Sequence, residues 1–215
     1  MAYMMRSHLW SYDSTKLAWL QAGLAPSGGN AGCSVAELLP GGFDAYVRIF
    51  HQFEAPDGSG LTQSWWSRAA DSGESFHAEL THYSLLDAPK PVWLARTGEP
   101  DDRTRRALVR VLTATTGDEP VFFAYDLEAL LNGEEQPLIR TAPLPELETL
   151  RKMVEEEHTA MDGPEFWWPH DRSWVVTSDH DLTSTYVGCS QETAERILSD
   201  DEIEALSVTP HTRVV

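Results

Sequence analysis

"FWWPHDRSWVVTSDHDLTSTYVG" occupies residues 166–188 and gathers three of the chain's eight tryptophans with two histidines and three aspartates. Within it "RSWVVTS" reads as a strand and "STYVG" as a second extended run, because β-branched and aromatic residues suit a pleated backbone. Asp171 and Asp181 sit in the flanking turns, where aspartate commonly accepts bonds from backbone amides. If the segment around Trp167 and Trp168 is extended, the two indoles point to opposite faces. One is then expected over the protein and the other partly exposed, as a recognition residue.

Outward from this segment, "GGFDAYVRIF" alternates: Phe43, Ala45, Val47 and Ile49 point one way, Tyr46 and Arg48 the other. A period of two predicts a half-buried strand. "PVFFAYDL" predicts a buried strand and "SVTP" an edge strand. Helices are predicted over "STKLAWLQAG" (Ser14 as cap, Gly23 as stop), "TQSWWSRAADSG" ending near Gly73, and "DDRTRRALVRVLTATTG" with an aspartate cap and Gly117 after its end. Two more follow in "PELETLRKMVEEEHTAMDG", whose polar face carries Glu155, Glu156 and Glu157, and in "SQETAERILSDDEIEAL" as one or two short acidic helices. "HYSLLDAPKPVW" reads as extended structure and Pro-rich loop, and "APSGGNAG" as a loop. Strands and helices mixed without regular β-α-β alternation favour α+β over a doubly wound sheet. The expectation is one domain over 1–215, a mostly antiparallel sheet packed by several helices, with its weakest seam at 137–145.

The chain has 215 residues and a formal net charge of −18, from 34 acidic and 16 basic side chains. That field repels nucleic acid and anionic lipid and draws in cationic partners. The arginines of "RTRRALVR" (residues 103–110) read as an ordinary charged helix face. No run approaches the ~20 apolar residues of a membrane span, and the first residues lack the apolar stretch of a secretory signal. Cys33 and Cys189 make no metal-spaced pair and no disulfide framework. A cytoplasmic protein is expected.

Catalytic signatures are absent: no phosphate loop, Rossmann fingerprint, G-x-S-x-G elbow or H-E-x-x-H. His170, Asp171, Asp179, His180 and Asp181 suit a transition metal by ligand type. They flank a strand of about six residues, roughly 20 Å long at ~3.3 Å per residue, so one ion cannot be held from both ends. Cys189, just ahead of a helix, is the most plausible reactive thiol, although a buried structural cysteine is the commoner case. Ser184 or Ser190 with His180 lacks an orienting third member. No catalytic residue, metal or cofactor is assigned. The binding candidates are Arg48, Trp167, Trp168, Asp171, Arg172, Asp181 and Tyr186: indoles, guanidiniums and carboxylates of the kind found in binding hot spots.

Three stretches carry a resemblance: "SVAELLPGGFDAYVRIFH", "WWPHDRSWVVTSDHDLTSTYVG" and the acidic tail through "EIEALSV". The chain resembles an uncharacterised family of soluble actinobacterial proteins. Leu39, Pro40, Phe43, Tyr46, Val47, Arg48 and His51 fit its first segment. Trp167, Trp168, Pro169, Asp171, Arg172, Trp174, Asp181, Ser184, Thr185, Tyr186, Val187 and Gly188 fit its second. His170, His180 and Cys189 depart from the pattern, which counts against metal and thiol chemistry. A weaker likeness is to immunity-type proteins of bacterial toxin systems. The expected function is a non-catalytic acidic interaction protein with a basic protein partner. The alternative is a small-molecule-binding or metal-dependent enzyme with a pocket around Arg48, Asp171, Arg172, Asp181 and Tyr186. A third reading is a buried Arg48–Asp171 ion pair.

Overall fold

The computed structural model describes residues 11, 13–26, 33–85, 93–125, 138–157 and 163–214. After a 3-10 turn at Ser14–Lys16 comes helix α1 (Ala18–Gly23), then strand β1 (Cys33–Ser34), helix α2 (Val35–Leu38) and strand β2 (Ala45–Phe50). A small excursion follows: β3 (Phe53–Glu54), β4 (Thr62–Gln63), α3 (Trp65–Ser72), a 3-10 turn at Tyr83–Leu85, and β5 (Leu94–Ala95). Next come α4 (Asp102–Thr116), β6 (Pro120–Tyr125), β7 (Leu138–Pro143) and, past a 3-10 turn, α5 (Leu147–Glu157). The chain closes with β8 (Phe166–Pro169), β9 (Val175–Thr177), β10 (Ser184–Cys189), α6 (Gln191–Leu198), β11 (Ala205–Val208) and β12 (Arg213–Val214).

The main sheet has seven strands in the order β11-β2-β10-β9-β8-β6-β7, with every pairing antiparallel. The fold is therefore α+β. Residues 166–188 build three of its strands as a meander, with β9 at the centre of the sheet. The 137–145 stretch contributes β7, paired along its whole length with β6. No helix among the described residues is long and apolar enough to cross a membrane.

Both faces of the sheet are covered. On one, α4, α5 and α6 press Leu108, Leu112, Leu150, Val154 and Ile197 onto Val47, Ile49, Phe123, Trp167, Val176 and Val187. On the other, Leu17 and Leu20 of α1, Val35 of α2 and Val214 of β12 cover Tyr46, Phe122, Phe166, Trp168, Val175 and Tyr186. A third core under the β4-β3-β5 sheet packs Phe50 and Phe53 around Trp65. The alternation read in "AYVRIF" is present, but β2 is not half-buried: five of its six residues are buried because each face has its own core. Gly188 on β10 is packed by the ring of Phe43, which would stand 2.6 Å from a Cβ.

The helix boundaries follow local chemistry. Asp101 Oδ1 accepts from the amides of Arg103 and Thr104 at the start of α4, satisfying amides that the first turn leaves without partners. Ser190 Oγ accepts from Thr193 at α6, and Gly73 ends α3 at φ 73°. Ser14 does not cap the first helix. It lies in the preceding 3-10 turn, and α1 starts without a side-chain cap. The segment expected to be extended at "HYSLL" instead forms the turn Tyr83–Leu85. Residues 86–92, most of "APSGGNAG", and residues 158–162 at the end of the last predicted long helix lie outside the described residues.

Candidate interaction surface

The sequence-derived candidates do not converge. Trp167 and Trp168 are 4% and 2% exposed, so neither is available for recognition. The expectation of one exposed indole assumed a sheet covered on one face. Trp167 stacks near Phe123, with ring centroids 6.3 Å apart, and meets the edge of Trp174. Trp168 packs between Trp19 and Phe122. Arg48 and Tyr186 are cross-strand partners and fully buried. Asp171 and Arg172 lie in the exposed turn between β8 and β9, while Asp181 lies in the turn at the other end of β9. The proposed pocket is therefore not assembled. Asp171 Oδ1 accepts from Ser173 N at 3.0 Å. Arg172, at φ 58°, sets its guanidinium 5.0 Å from the Trp19 ring centre.

The metal and nucleophile readings fare similarly. His170 packs near Phe122 at one end of the β8–β9 hairpin, and His180 sits at the other. Asp179, His180 and Asp181 place ligand atoms within 4.8 Å of one another, but Asp179 Oδ1 already accepts from Asp181 N. His180 and Asp181 are exposed, and no further group joins them among the described residues. Both cysteines are free. Burial pushes the Cys189 thiol up to about 12, the opposite of an activated nucleophile. Ser190 caps α6, and Ser184 Oγ accepts from Arg48 Nε.

Where the structure departs most from the sequence reading is in its arginines. Arg48, Arg68, Arg105 and Arg140 are each 3% exposed or less. Arg105 is not part of an ordinary charged helix face. It points inward beside Leu108 and Leu112, a spacing visible in the sequence. Its Nε donates to Glu148 at 2.6 Å and its Nη2 to Asp102 at 2.7 Å, with Glu99 close by. Five more arginines are in ion pairs: Arg96 with Glu54, Arg103 with Glu202, Arg110 with Asp200 and Glu202, Arg151 with Glu99, and Arg196 with Glu192. Nine of the sixteen Lys and Arg side chains are thus buried or held in ion pairs.

Among the described residues, Arg48 has no carboxylate partner within ion-pair distance. Nε donates to Ser184 and Nη1 to the Ala78 carbonyl at 2.7 Å, the Phe50 ring lies 4.2 Å from the guanidinium carbon, and Nη2 has no partner. Burial holds its pKa below the ordinary arginine value. Removing a buried charge whose desolvation is incompletely offset is often neutral or stabilising by ~1–4 kcal/mol when volume is kept. Arg48→Met is therefore expected to leave the urea midpoint unchanged or raise it. Arg48→Ala, which leaves a cavity, should cost about 2–5 kcal/mol. A loss above ~2 kcal/mol in the methionine variant would show that the ring and carbonyl contacts outweigh desolvation.

A different surface has the properties of a docking site. Glu204 O accepts from Phe50 N at 2.8 Å, and the antiparallel alternation then turns Leu206 and Val208 toward β2. The N–H and C=O groups of Ala205 and Ser207 point away from the sheet, and no backbone group among the described residues bonds to them. The Glu204 carboxylate accepts from Trp65 N and Trp66 N, each at 2.7 Å. It thereby fixes the first turn of α3, and with it Trp66, beside the start of β11. Trp66 is 65% exposed. Leu61, Tyr83 and Leu94, also exposed, belong to the same small lobe. Over residues 52–85 and 93–96 that lobe carries Glu54, Asp57, Asp71, Glu74 and Glu79 against two cations, the buried Arg68 and Arg96, which is paired with Glu54. The sequence signal was the doublet "WW" at 65–66, since on a helix adjacent residues cannot share a face.

Comparison with protein-family models, with characterised proteins and with solved structures returns no match.

Proposed function

We propose that the chain is a non-catalytic interaction protein whose acidic surface receives a basic protein partner. One observation carries this: nine of the sixteen Lys and Arg side chains are buried or already paired, which leaves few free cations on a chain of net charge −18. A field of one sign steers an oppositely charged protein and speeds encounter. Among the described residues, the candidate nucleophiles, histidines and carboxylates do not assemble into a reacting centre. A cationic toxin covered and neutralised by this surface is one form such a partner takes.

The test is binding of immobilised protein to a panel of purified basic, neutral and acidic proteins of matched size between 50 and 500 mM salt. The expected result is association confined to basic proteins, with affinity falling by 10-fold or more as salt shortens the Debye length from ~14 to ~4 Å. Equal affinity for neutral and basic proteins, or affinity independent of salt, overturns the reading.

A further inference from the structure

We propose that the basic partner adds an extended segment as an eighth strand on the free edge of β11, with a cationic side chain over Trp66. This deepens the function proposed above and rests on it. Unpaired strand edges are templates for another chain, and folds usually protect them. The two edges of this sheet differ. On β7, Ile139 exchanges both backbone bonds with Ser11, at 2.8 and 3.0 Å, and Pro143 offers no N–H. On β11, Ala205 and Ser207 present both their donors and both their acceptors outward. Ser207 is exposed, and neither residue is proline or a charged side chain that would discourage pairing.

What surrounds this edge selects the occupant. The turn leading into β11 holds Asp200, Asp201, Glu202 and Glu204 against two guanidiniums, Arg103 and Arg110, which bind Asp200 and Glu202. Asp201 is exposed, and no hydrogen bond or ion pair reaches it among the described residues. Trp66 stands on the Glu204 side of the strand, and an indole face is the strongest aromatic partner for a lysine or arginine. Leu198, at the end of α6, is 37% exposed and offers an apolar contact where the turn begins. A second copy of this chain fits poorly, since two surfaces of charge −18 would be brought edge to edge. An extended cationic segment gains main-chain bonds, cation–π contact and charge complementarity together.

The probe is a synthetic eight-residue peptide alternating lysine with valine, compared with the same peptide N-methylated on every second backbone amide. Binding of the unmodified peptide at 50 mM salt is expected to slow hydrogen exchange at the Ala205 and Ser207 amides. N-methylation on the pairing face should weaken binding at least 10-fold with no change in charge. Ser207→Pro removes an outward N–H without touching the pairing to β2 and should weaken binding similarly. Trp66→Ala should weaken it about 5-fold. If Ser207→Pro unfolds the chain, the N-methylated peptide and the exchange measurement decide alone. Salt-sensitive binding that ignores both N-methylation and Ser207→Pro overturns the edge assignment while leaving the acidic-surface reading intact. No peptide binding at 50 mM salt overturns both. A dimer that dissociates in Ser207→Pro assigns the edge to a second copy and overturns this proposal alone.

Discussion

Between pH 6.5 and about 3, stability is expected to fall by about 4–5 kcal/mol through His51. The imidazole is fully buried. Its Nε2 lies 2.9 Å from Thr185 Oγ1, which lies 2.6 Å from Ser178 Oγ. Burial dominates and pushes the His51 pKa down from 6.5 to about 3; a backbone hydrogen bond at Arg96 and the Asp101 carboxylate act against it, while the charges of Arg96 and Arg48 act with it. The sign follows from proton counting. Above pH 6.5 both folded and unfolded chains hold a neutral imidazole. As pH falls below that value the unfolded chain takes up a proton that the folded chain refuses, so stability declines until the folded pKa is reached.

The window from pH 6.5 to 5 separates the histidines from the carboxylates held low by arginines, and a His51 variant then singles out His51. His82, also lowered by burial, acts with the same sign. Glu148, Asp102, Asp200 and Glu202, held low by arginine partners, lose their contribution only below about pH 4.5, whereas Glu204, raised by burial, acts above that value and against the histidines. Urea titrations at pH 7.5, 6.5, 5.5 and 5 should show a decline of about 2 kcal/mol. His51→Gln, which retains an N–H for the Thr185 hydroxyl and cannot be protonated, should remove most of that decline. Parallel pH slopes in the two proteins would place the origin elsewhere.

Arg105→Ala is expected to cost about 3–5 kcal/mol, the usual penalty for removing one partner of a buried ion network. The guanidinium is 2% exposed and joins α4 to Glu148 of α5 and to the Pro100 carbonyl. Burial alone would lower its pKa, but Glu148, Glu99 and Asp102 together raise it. Without it, Glu99 is left largely buried with Arg151 as its ion-pair partner. Arg110→Ala on the same helix is the internal comparison. Arg110 is 57% exposed, and screened surface pairs of this kind contribute about 0–1 kcal/mol. Thermal or urea melts of the two variants should differ by at least about 2 kcal/mol. Similar losses in both would mean that the Arg105 network is solvated in effect and that α4 is held by Leu108 and Leu112 instead.

Secondary structure was largely legible because it is written in short-range chemistry. Asp101 and Gly117 bracket α4, Gly73 stops α3, and β-branched alternation marks β2, β9 and β10. Burial was less legible. Period-two alternation shows that Trp167 and Trp168 oppose one another, yet says nothing about whether one face or both will be covered. Likewise "RTRRALVR" displays its charges identically, whether solvent or Glu99 and Glu148 lie opposite.

By itself, then, the sequence determined the class of fold, the caps, the excess of acid and the absence of a compact catalytic motif, all properties of neighbours along the chain. Only the tertiary structure decided that the tryptophans of residues 166–188 are core, that four arginines are interior, that Trp66 is exposed, and that the backbone of Ala205 and Ser207 has no partner among the described residues. The physical reason is that exposure belongs to what packs against a residue. For β2, β8 and β10 that is set by helices and turns far away in the chain, as Leu17 is from Tyr186, whose approach no local pattern encodes.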